Sequence, residues 1–372
     1  MQITVADRVA QELDSRVSEI DLGNPHLISH GYDPVPLDST NFHPIKPAEC
    51  RRRIAFVDGG NQPLMQAPNF SIQFNRIYFS IFQANKRLTY DQALPQKIEF
   101  VSATFATFRD DEIYFQTSLF PVVESNGTLL PDASDLTFNS FDRRLMQGAF
   151  RAEIGRVATI ARRFAEWRFA TAVVEKILTD SDIIVMDGTL RTAFKGESRY
   201  AGEAYSEAKK KNVLYTGLSK TSRLFTTTGL SLLGALRKLA EDSGVKPPWY
   251  YYPVAKSKSL EHDAAIFIVR LRAESPRAFR YEVQAQQTEQ LSEEDLNQVF
   301  YELSNNSCDL AFPGYPYGLV DADANAKVVD SDVELHRVEL LSKLSTNGSW
   351  SKFSRHIQSS DAHDILDSVK EW

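Results

Sequence analysis

The sequence predicts an α/β fold in which a mixed central β-sheet is flanked by helices. Residues 53–123 hold several runs of aromatic and β-branched residues separated by turn signals, and short loops between such runs favour antiparallel strands. A long helical pattern then ends at a short apolar run, residues 182–187, which is typical of a buried parallel strand. The second half of the chain alternates helix and strand patterns, which completes the prediction of a mixed sheet.

The first 50 residues precede this pattern. Residues 1–20 are predicted to form an amphipathic helix in which Val5, Val9, Leu13 and Val17 share one face. Such a face either packs on its own domain, which is the commoner case, or binds a partner. Residues 21–50 contain several Pro, Asn and Asp residues without a clear period, so they are predicted to be a connecting loop.

The remaining elements follow from periodicity and capping signals. The predicted strands are 53–57, 72–84, 97–108, 112–123, 182–187, 212–219, 249–255, 264–272 and 277–284. The predicted helices are 141–178, 203–211, 222–241, one beginning at Ser292, 333–344 and 362–369. No composition break separates two independent domains.

Composition excludes several classes of protein. A net charge of −7 and a pI near 5.6 argue against a protein that coats nucleic acid, so any such contact must be local. Cys50 and Cys308 form no CxxC pair, which gives no support for a structural zinc site or a disulfide framework. No secretory signal begins the chain, and its most apolar stretch, 228–236, is far shorter than the roughly 18 residues of a membrane span. We therefore expect a cytoplasmic protein without a membrane anchor.

Two similar strand ends carry the most information about chemistry. The segments RRIAFVDGG and DIIVMDGTL each place an Asp-Gly pair after an apolar strand, with carboxylates at Asp58 and Asp187. Side chains at the carboxyl ends of neighbouring strands face one crevice, and Gly permits close approach of the backbone. Carboxylates gathered in this way favour Mg²⁺ or Mn²⁺. Asp-Gly is also a common turn after a strand, and phosphatases and sugar-phosphate kinases use comparable Asp-bearing strands, so the pattern leaves these alternatives open.

Four segments together resemble the NurA nucleases. They are VDGG at 57–60, VMDGTL at 185–190, GLSKTSR at 217–223 and GYPYGLVDADANAKV at 314–328, in the order of that family. The resemblance implies an RNase H-like nuclease domain over residues 51–345, between the N-terminal helix and loop at 1–50 and a helical tail at 346–372. It also implies a nuclease dependent on manganese or magnesium, with 5′-to-3′ exonuclease and single-strand endonuclease activity on DNA. Family members act as dimers with the hexameric ATPase HerA in DNA end processing.

The resemblance assigns metal ligands residue by residue. Asp58 and Asp187 match the first two ligands, and a Glu on the helix before the second Asp strand corresponds best to Glu166, with Glu175 and Glu153 as alternatives. Asp323 stands where many family members carry a metal-binding His. An Asp binds the same hard cations, but the difference leaves open both the metal preference and the choice between Asp323 and Asp321.

Basic residues near these positions are candidates for DNA contact. Lys220 follows a predicted strand and precedes a predicted helix, where Thr221 or Ser222 would be the cap, so it is either a phosphate ligand or an exposed lysine. The segment after Asp187 is also positive, and the residues that we expect to hold backbone phosphates there are Arg191, Lys195 and Arg199.

The sequence therefore predicts two-metal phosphodiester hydrolysis with Asp58, Asp187, Glu166 and Asp323 as ligands. Two other functions stay open. A catalytically inactive adaptor for a DNA-translocating ATPase would explain the replacement of His by Asp323, and a metal-dependent phosphatase would share the Asp-bearing strands.

Overall fold

The computed structural model describes residues 4–17, 21–27, 31–90, 93–222, 224–351 and 354. Its strands are β1 (Pro25–His26), β2 (Tyr32–Pro34), β3 (Phe42–Pro44), β4 (Arg53–Ala67), β5 (Phe70–Gln83), β6 (Lys86–Arg87), β7 (Lys97–Arg109), β8 (Glu112–Pro121), β9 (Thr137–Asn139), β10 (Ile183–Asp187), β11 (Leu214–Ser219), β12 (Phe225–Thr226), β13 (Trp249–Tyr251), β14 (Ala255–Ser257), β15 (Ala264–Arg270) and β16 (Phe279–Gln284). Its α-helices are α1 (Val5–Val17), α2 (Ile154–Ala158), α3 (Ile160–Lys176), α4 (Glu197–Lys211), α5 (Leu232–Asp242), α6 (Ala285–Thr288), α7 (Glu293–Asn306), α8 (Tyr317–Ala326) and α9 (Asp330–Thr346). Short 3₁₀ helices occupy Ser39–Asn41, Glu124–Leu129 and Ala133–Asp135.

One large mixed sheet organises the molecule. Twelve strands join it, in the order β3-β13-β15-β16-β11-β10-β4-β5-β7-β8-β9, with β6 paired to β5. Strand β10 runs parallel to both β4 and β11, whereas the other recorded pairs in this sheet are antiparallel. The antiparallel strands β4, β5, β7 and β8 therefore meet the parallel strands β10 and β11 at β4. This arrangement confirms the predicted mixed α/β fold with a sheet flanked by helices.

Helices cover both faces of this sheet. On one face, α3 buries Phe164, Phe169 and Val173 in a core that also contains Val57 and Ile184 from β4 and β10. On the other face, the buried residues of α7 and α8 pack with the alternate side chains of the same strands. Because successive side chains of a strand point to opposite faces, strands covered on both sides are apolar almost throughout.

Strand β4 is much longer than the predicted 53–57. Its parallel pairing with β10 ends at Val57, but its antiparallel pairing with β5 continues to Ala67, with an irregularity between Pro63 and Met65. Asp58 therefore lies within a strand and not at its end, which corrects the prediction. The prediction holds for the parallel ladder alone, because that ladder stops just before Asp58.

Two predicted helices begin later than expected. The helix predicted from residue 141 begins only at Ile154. At the start of the predicted range, Asp142 accepts a hydrogen bond from the backbone of Arg144 at 2.9 Å and closes a turn. The predicted helix 222–241 begins at Leu232, after the short strand β12. Thr226, Thr227, Thr228 and Gly229 are poor helix formers, which explains the turn that precedes α5.

The N-terminal region also differs from the prediction. The predicted helix is present as α1, but Val5, Val9 and Leu13 are 68%, 53% and 59% exposed, so these side chains do not pack on the domain. The predicted loop 21–50 contains the short strands β1, β2 and β3, and β3 joins the large sheet through β13. Strands of two or three residues are too short to show a period in hydrophobicity. Their pairing also depends on strands that are distant in the sequence.

The C-terminal helix predicted at 362–369 lies outside the described residues. Helix α9 covers the predicted 333–344 and begins earlier, at Asp330. In the part of the chain that the structure describes, no helix combines the length and the apolar character that a membrane crossing requires.

Candidate metal centre

Asp58 and Asp187 are neighbours across the parallel strands β4 and β10. Val57 pairs with Met186, so the two aspartates follow paired residues on adjacent strands. Each lies two residues after a buried residue of the same core, Phe56 on β4 and Val185 on β10, and the period of two places both carboxylates on the face that α8 covers.

Asp323 joins these two carboxylates from helix α8. Leu319, Ala322 and Ala326 are buried in the core beneath the helix and fix its position on β4 and β5. One carboxylate oxygen each of Asp58, Asp187 and Asp323 lies within 4.8 Å of the other two. Three elements that are distant in sequence thus create a cluster of oxygen donors at one point, here called the carboxylate triad.

Lys220 is the cation nearest to the triad. Its Nζ lies 2.7 Å from Asp187 Oδ2 and 2.5 Å from Asp323 Oδ1. Burial lowers the pKa of Lys220, but the hydrogen bonds to Asp187 and Asp323 and the charges of Asp187 and Asp58 outweigh burial and raise the pKa above its usual value. Lys220 is therefore positively charged and neutralises part of the triad. Because α5 begins only at Leu232, Lys220 is not at a helix N-terminus, and neither Thr221 nor Ser222 is a helix cap.

Asp58 is a carboxylate whose surroundings disfavour its ionised form. Burial raises the pKa of Asp58 to about 8, and the charges of Asp187 and Glu166 add to the rise. Lys220 and the backbone amide of Gly59, 2.7 Å from Oδ1, favour the ionised form. A divalent cation bound among these carboxylates would relieve the repulsion that disfavours the ionised form of Asp58.

Glu166 approaches from α3, on the opposite face of the sheet. A Cβ on Gly59 would lie 2.4 Å from Glu166 Oε1, so only glycine leaves room for this carboxylate beside Asp58. Glu166 pairs with Arg162, one turn earlier on α3, and Arg162 also donates to the carbonyl of Gly59 at 2.8 Å. Burial raises the pKa of Glu166 to about 7, although Arg162 and Arg163 oppose the rise. Glu166 is thus next to the triad but paired with arginine.

The alternative carboxylates lie elsewhere. Glu153 precedes α2 and Glu175 is exposed near the end of α3, and neither belongs to the triad. Asp321 faces Arg87, with its Oδ1 3.2 Å from the guanidinium. Of the two aspartates on α8, Asp323 is therefore the one that the structure brings to Asp58 and Asp187.

Tyr315 is a residue of this site to which the sequence analysis gave no role. Its side chain is 1% exposed, and its hydroxyl has no hydrogen-bond partner among the described residues. Burial and the charges of Asp187, Asp58 and Asp323 raise the pKa of Tyr315 well above its usual value, so the hydroxyl is neutral and retains a proton to donate. The position of Tyr315 in the GYPYGL segment could have identified it as a site residue, but tyrosines in such segments are usually core residues.

The predicted DNA-contacting residues differ in their surroundings. Arg191 is half-exposed and lies 3.7 Å from Glu261, and Lys195 is exposed without an ion pair in the described part of the chain. Arg199 is on α4, paired with Asp135 and with Glu203 at 3.7 Å. Arg191 and Lys195 thus lie on the segment that follows Asp187, while Arg199 takes part in a local ion-pair cluster.

A family model described as the NurA domain matches residues 52–328, which covers the triad, Glu166 and Lys220. No curated protein matches the chain.

Among solved structures, the NurA nuclease from Sulfolobus solfataricus is similar at 15% identity and a TM-score of 0.44, covering 92% of this chain and 93% of that chain. Endonuclease V from Ciona intestinalis, solved with a 24mer DNA that contains an inosine followed by a ribo-adenosine, is similar at 10% identity and a TM-score of 0.33 over 73% of this chain and 83% of that chain. Both TM-scores are below 0.5, so neither likeness supports a statement about activity.

Proposed function

This chain belongs to the NurA family, and from that premise we propose that it is a divalent-metal-dependent nuclease that hydrolyses phosphodiester bonds in DNA. The observation that carries the proposal is the triad of Asp58, Asp187 and Asp323, whose oxygens lie within 4.8 Å of one another. Family membership supports a nuclease, and the triad supports its dependence on metal.

The residues present fit a hard divalent cation. All the donors of the triad are carboxylate oxygens, which suit Mg²⁺ and Mn²⁺, and no His or Cys of the described residues joins them as a zinc site would require. The unpaired buried hydroxyl of Tyr315 is a further polar group without a protein partner at this place. We therefore assign Mn²⁺ or Mg²⁺, with two ions per site, to the triad and Glu166.

The chain's own groups have separable roles in this mechanism. Bound divalent ions supply an acidified water and charge stabilisation at the leaving oxygen. Asp58, Asp187 and Asp323 would hold these ions. Glu166, on the far side of Gly59, would be the fourth ligand. Lys220, whose side chain is 36% exposed, presents a positive charge that attracts a backbone phosphate towards the triad. Arg191 and Lys195 hold the strand beyond it, and Arg199 extends this positive surface. No side chain acts as the nucleophile.

The finer features are part of the same proposal. The enzyme acts as a 5′-to-3′ exonuclease and single-strand endonuclease in DNA end processing, as a cytoplasmic homodimer with a HerA-type ATPase. The exposed apolar face of α1 is the surface that we assign to a protein partner. The presence of Asp323 in the triad argues for catalysis and against an inactive adaptor, because Asp323 supplies a carboxylate oxygen as a metal ligand where the family's His would supply a ring nitrogen.

Cleavage of end-labelled single- and double-stranded DNA tests this function. Wild-type protein should cut DNA with Mn²⁺ or Mg²⁺ and not with EDTA, and Asp58→Ala, Asp187→Ala and Asp323→Ala should each lower the rate by at least about 100-fold, since each removes a ligand. Asp330→Ala is the matched control, because Asp330 is an exposed aspartate at the start of α9.

Two outcomes would contradict the proposal. Folded protein that cuts no DNA, even with its ATPase present, would favour the adaptor. Metal-dependent hydrolysis of a small phosphate ester without DNA cleavage would favour a phosphatase.

A further inference from the structure

The chain that follows Asp187 runs across the sheet before it enters α4. Gly188 donates its amide to the carbonyl of Leu218 at 2.9 Å, and a Cβ on Gly217 would lie 2.6 Å from the Gly188 carbonyl oxygen. Only glycine at 217 leaves space for this crossing, which carries the backbone over β11 to β16. Residues 188–196 are here called the crossing loop. Their position therefore depends on contacts with residues beyond β11.

Glu282 on β16 is the first anchor. It is fully buried, pairs with Gly217 in the sheet register, and accepts the amide of Leu190 at 2.7 Å. Its second oxygen lies 2.5 Å from Arg280 Nε. Burial alone would raise the pKa of Glu282, but Arg280 and His262 outweigh burial and lower it to about 2, so the anchor is charged.

His262 and Tyr32 hold Glu282 in place from behind. His262 is fully buried, with Nε2 2.9 Å from Glu282 Oε2 and Nδ1 2.5 Å from the hydroxyl of Tyr32. An ionised carboxylate only accepts hydrogen bonds, so the network assigns a proton to Nε2, and the other ring nitrogen, Nδ1, shares a hydrogen bond with the hydroxyl of Tyr32. Glu282, which holds the crossing loop, is thus itself oriented by a hydrogen bond to His262, and His262 is oriented by Tyr32.

A second buried carboxylate, Glu197, anchors the far half of the crossing loop. Its Oε2 accepts the amides of Ala193 at 2.6 Å and Phe194 at 3.0 Å. Its Oε1 accepts from Trp167 Nε1 at 3.0 Å and Arg163 Nε at 2.5 Å, both on α3. Between the two carboxylates, Thr192 donates its amide to the carbonyl of Glu261 at 2.7 Å.

We infer that Glu282 is a positioning residue of the nuclease centre, because it holds the backbone just after Asp187 so that the Asp187 carboxylate meets Asp58 and Asp323. This inference rests on the proposed function. Glu282 touches none of the triad residues itself and acts through Leu190. Groups that orient metal ligands commonly change metal affinity when they are replaced, although they do not bind the ion.

Glu282→Gln tests the inference, because it removes the charge while keeping the size of the side chain. The dissociation constant for Mn²⁺, followed by the electron paramagnetic resonance signal of the free ion, should rise about tenfold, with kcat lowered and the KM for DNA unchanged. The measurement is made well below the thermal midpoint of each variant, so that unfolding does not change the measured dissociation constant.

Glu302→Gln is the matched control. Glu302 is also fully buried and accepts two backbone amides, from Arg51 at 3.0 Å and Arg52 at 2.9 Å. Those residues directly precede Arg53, the first residue of β4, and neither is next to Asp58 in the chain. This variant should lose thermal stability and keep the Mn²⁺ affinity of the wild type.

The outcomes separate the two proposals. Wild-type protein that binds Mn²⁺, together with a Glu282→Gln variant of equal affinity, would overturn the inference and leave the function intact. Wild-type protein that binds no Mn²⁺ would overturn both. If Glu282→Gln does not fold, Tyr32→Phe removes only the hydroxyl behind His262 and should still weaken Mn²⁺ binding measurably; unchanged binding in that variant would overturn the inference.

Discussion

At the scale of single residues, the centre is a concentration of negative charge that folding alone does not favour. Burial and the neighbouring carboxylates raise the pKa of Asp58 to about 8, and Lys220 offsets the repulsion only in part. Such clusters persist because they bind a ligand, and they reduce stability when the ligand is absent.

Asp58→Asn should therefore stabilise the metal-free protein while it abolishes cleavage. Asparagine keeps the shape of the side chain and an oxygen for the Gly59 amide, but it removes the repulsion with Asp187 and Glu166. We expect the thermal midpoint in EDTA, followed by circular dichroism, to rise by about 2–4 °C.

The exposed Asp330→Asn is the control for this change and should shift the midpoint by less than about 1 °C. Added Mn²⁺ should stabilise the wild type more than the Asp58→Asn variant, because binding to the folded state adds to its stability. A lower midpoint for Asp58→Asn in EDTA would show that this carboxylate stabilises the fold.

At the scale of elements, the site is built where strands change partners. Strand β4 leaves its parallel neighbour at Val57 and continues beside β5, and β10 ends at Asp187, so the edge of the parallel ladder exposes both carboxylates to α8. Strand β16 then supports the crossing loop through Glu282, and it does so with an ionised side chain inside the sheet layer.

The charge of Glu282 predicts a specific dependence of stability on pH. Arg280 and His262 outweigh burial and lower the pKa of Glu282 from 4.5 to about 2, so the folded state binds fewer protons at this residue than the unfolded state. The contribution of Glu282 is complete above pH 4.5 and is lost as the pH falls towards 2.

Urea unfolding of wild-type protein and Glu282→Gln over a pH series measures this contribution. The difference in free energy of unfolding between them should be constant above about pH 5 and should shrink below it. A difference that stays constant down to the lowest pH at which both proteins fold would contradict the lowered pKa.

At the scale of the whole molecule, an acidic chain must still attract DNA. The net charge is −7, so the positive residues that contact phosphates have to lie close to the triad. We propose Arg191 and Lys195 for this role, because they lie on the crossing loop that begins directly after Asp187 and that Glu282 and Glu197 anchor.

Arg191→Ala should weaken DNA binding with little effect on the chemical step. We expect a several-fold higher KM for DNA and a slope of log affinity against log salt that is smaller by about one, since one phosphate contact is lost. Lys209→Ala is the control, because Lys209 is an exposed lysine in the last turn of α4, roughly 18 Å along the helix from its start. Equal salt slopes for both variants would place the DNA elsewhere.

The sequence determined much of the fold and named all three residues of the triad, two from the strand pattern and one through the family resemblance. Apolar runs and short turns are local signals, so the strands 72–84, 97–108 and 182–187 and the Ser292 cap were predicted close to their observed positions. Asp58 and Asp187 were identifiable because both follow apolar strands of a mixed sheet. The resemblance to the NurA family supplied Asp323, and the family model over 52–328 confirms that resemblance.

Only the tertiary structure decided how these residues combine. It placed Asp323 and not Asp321 at the triad, removed Lys220 from a helix terminus, brought Tyr315 near the triad, and placed Glu282 against the backbone amide of Leu190. These relations join residues that are far apart in the chain, and a buried carboxylate or tyrosine has the same local sequence pattern as an exposed one. Burial, pairing and charge are properties of the packed sheet and its helices, so they arise only once β4, β10, β16 and α8 are in contact.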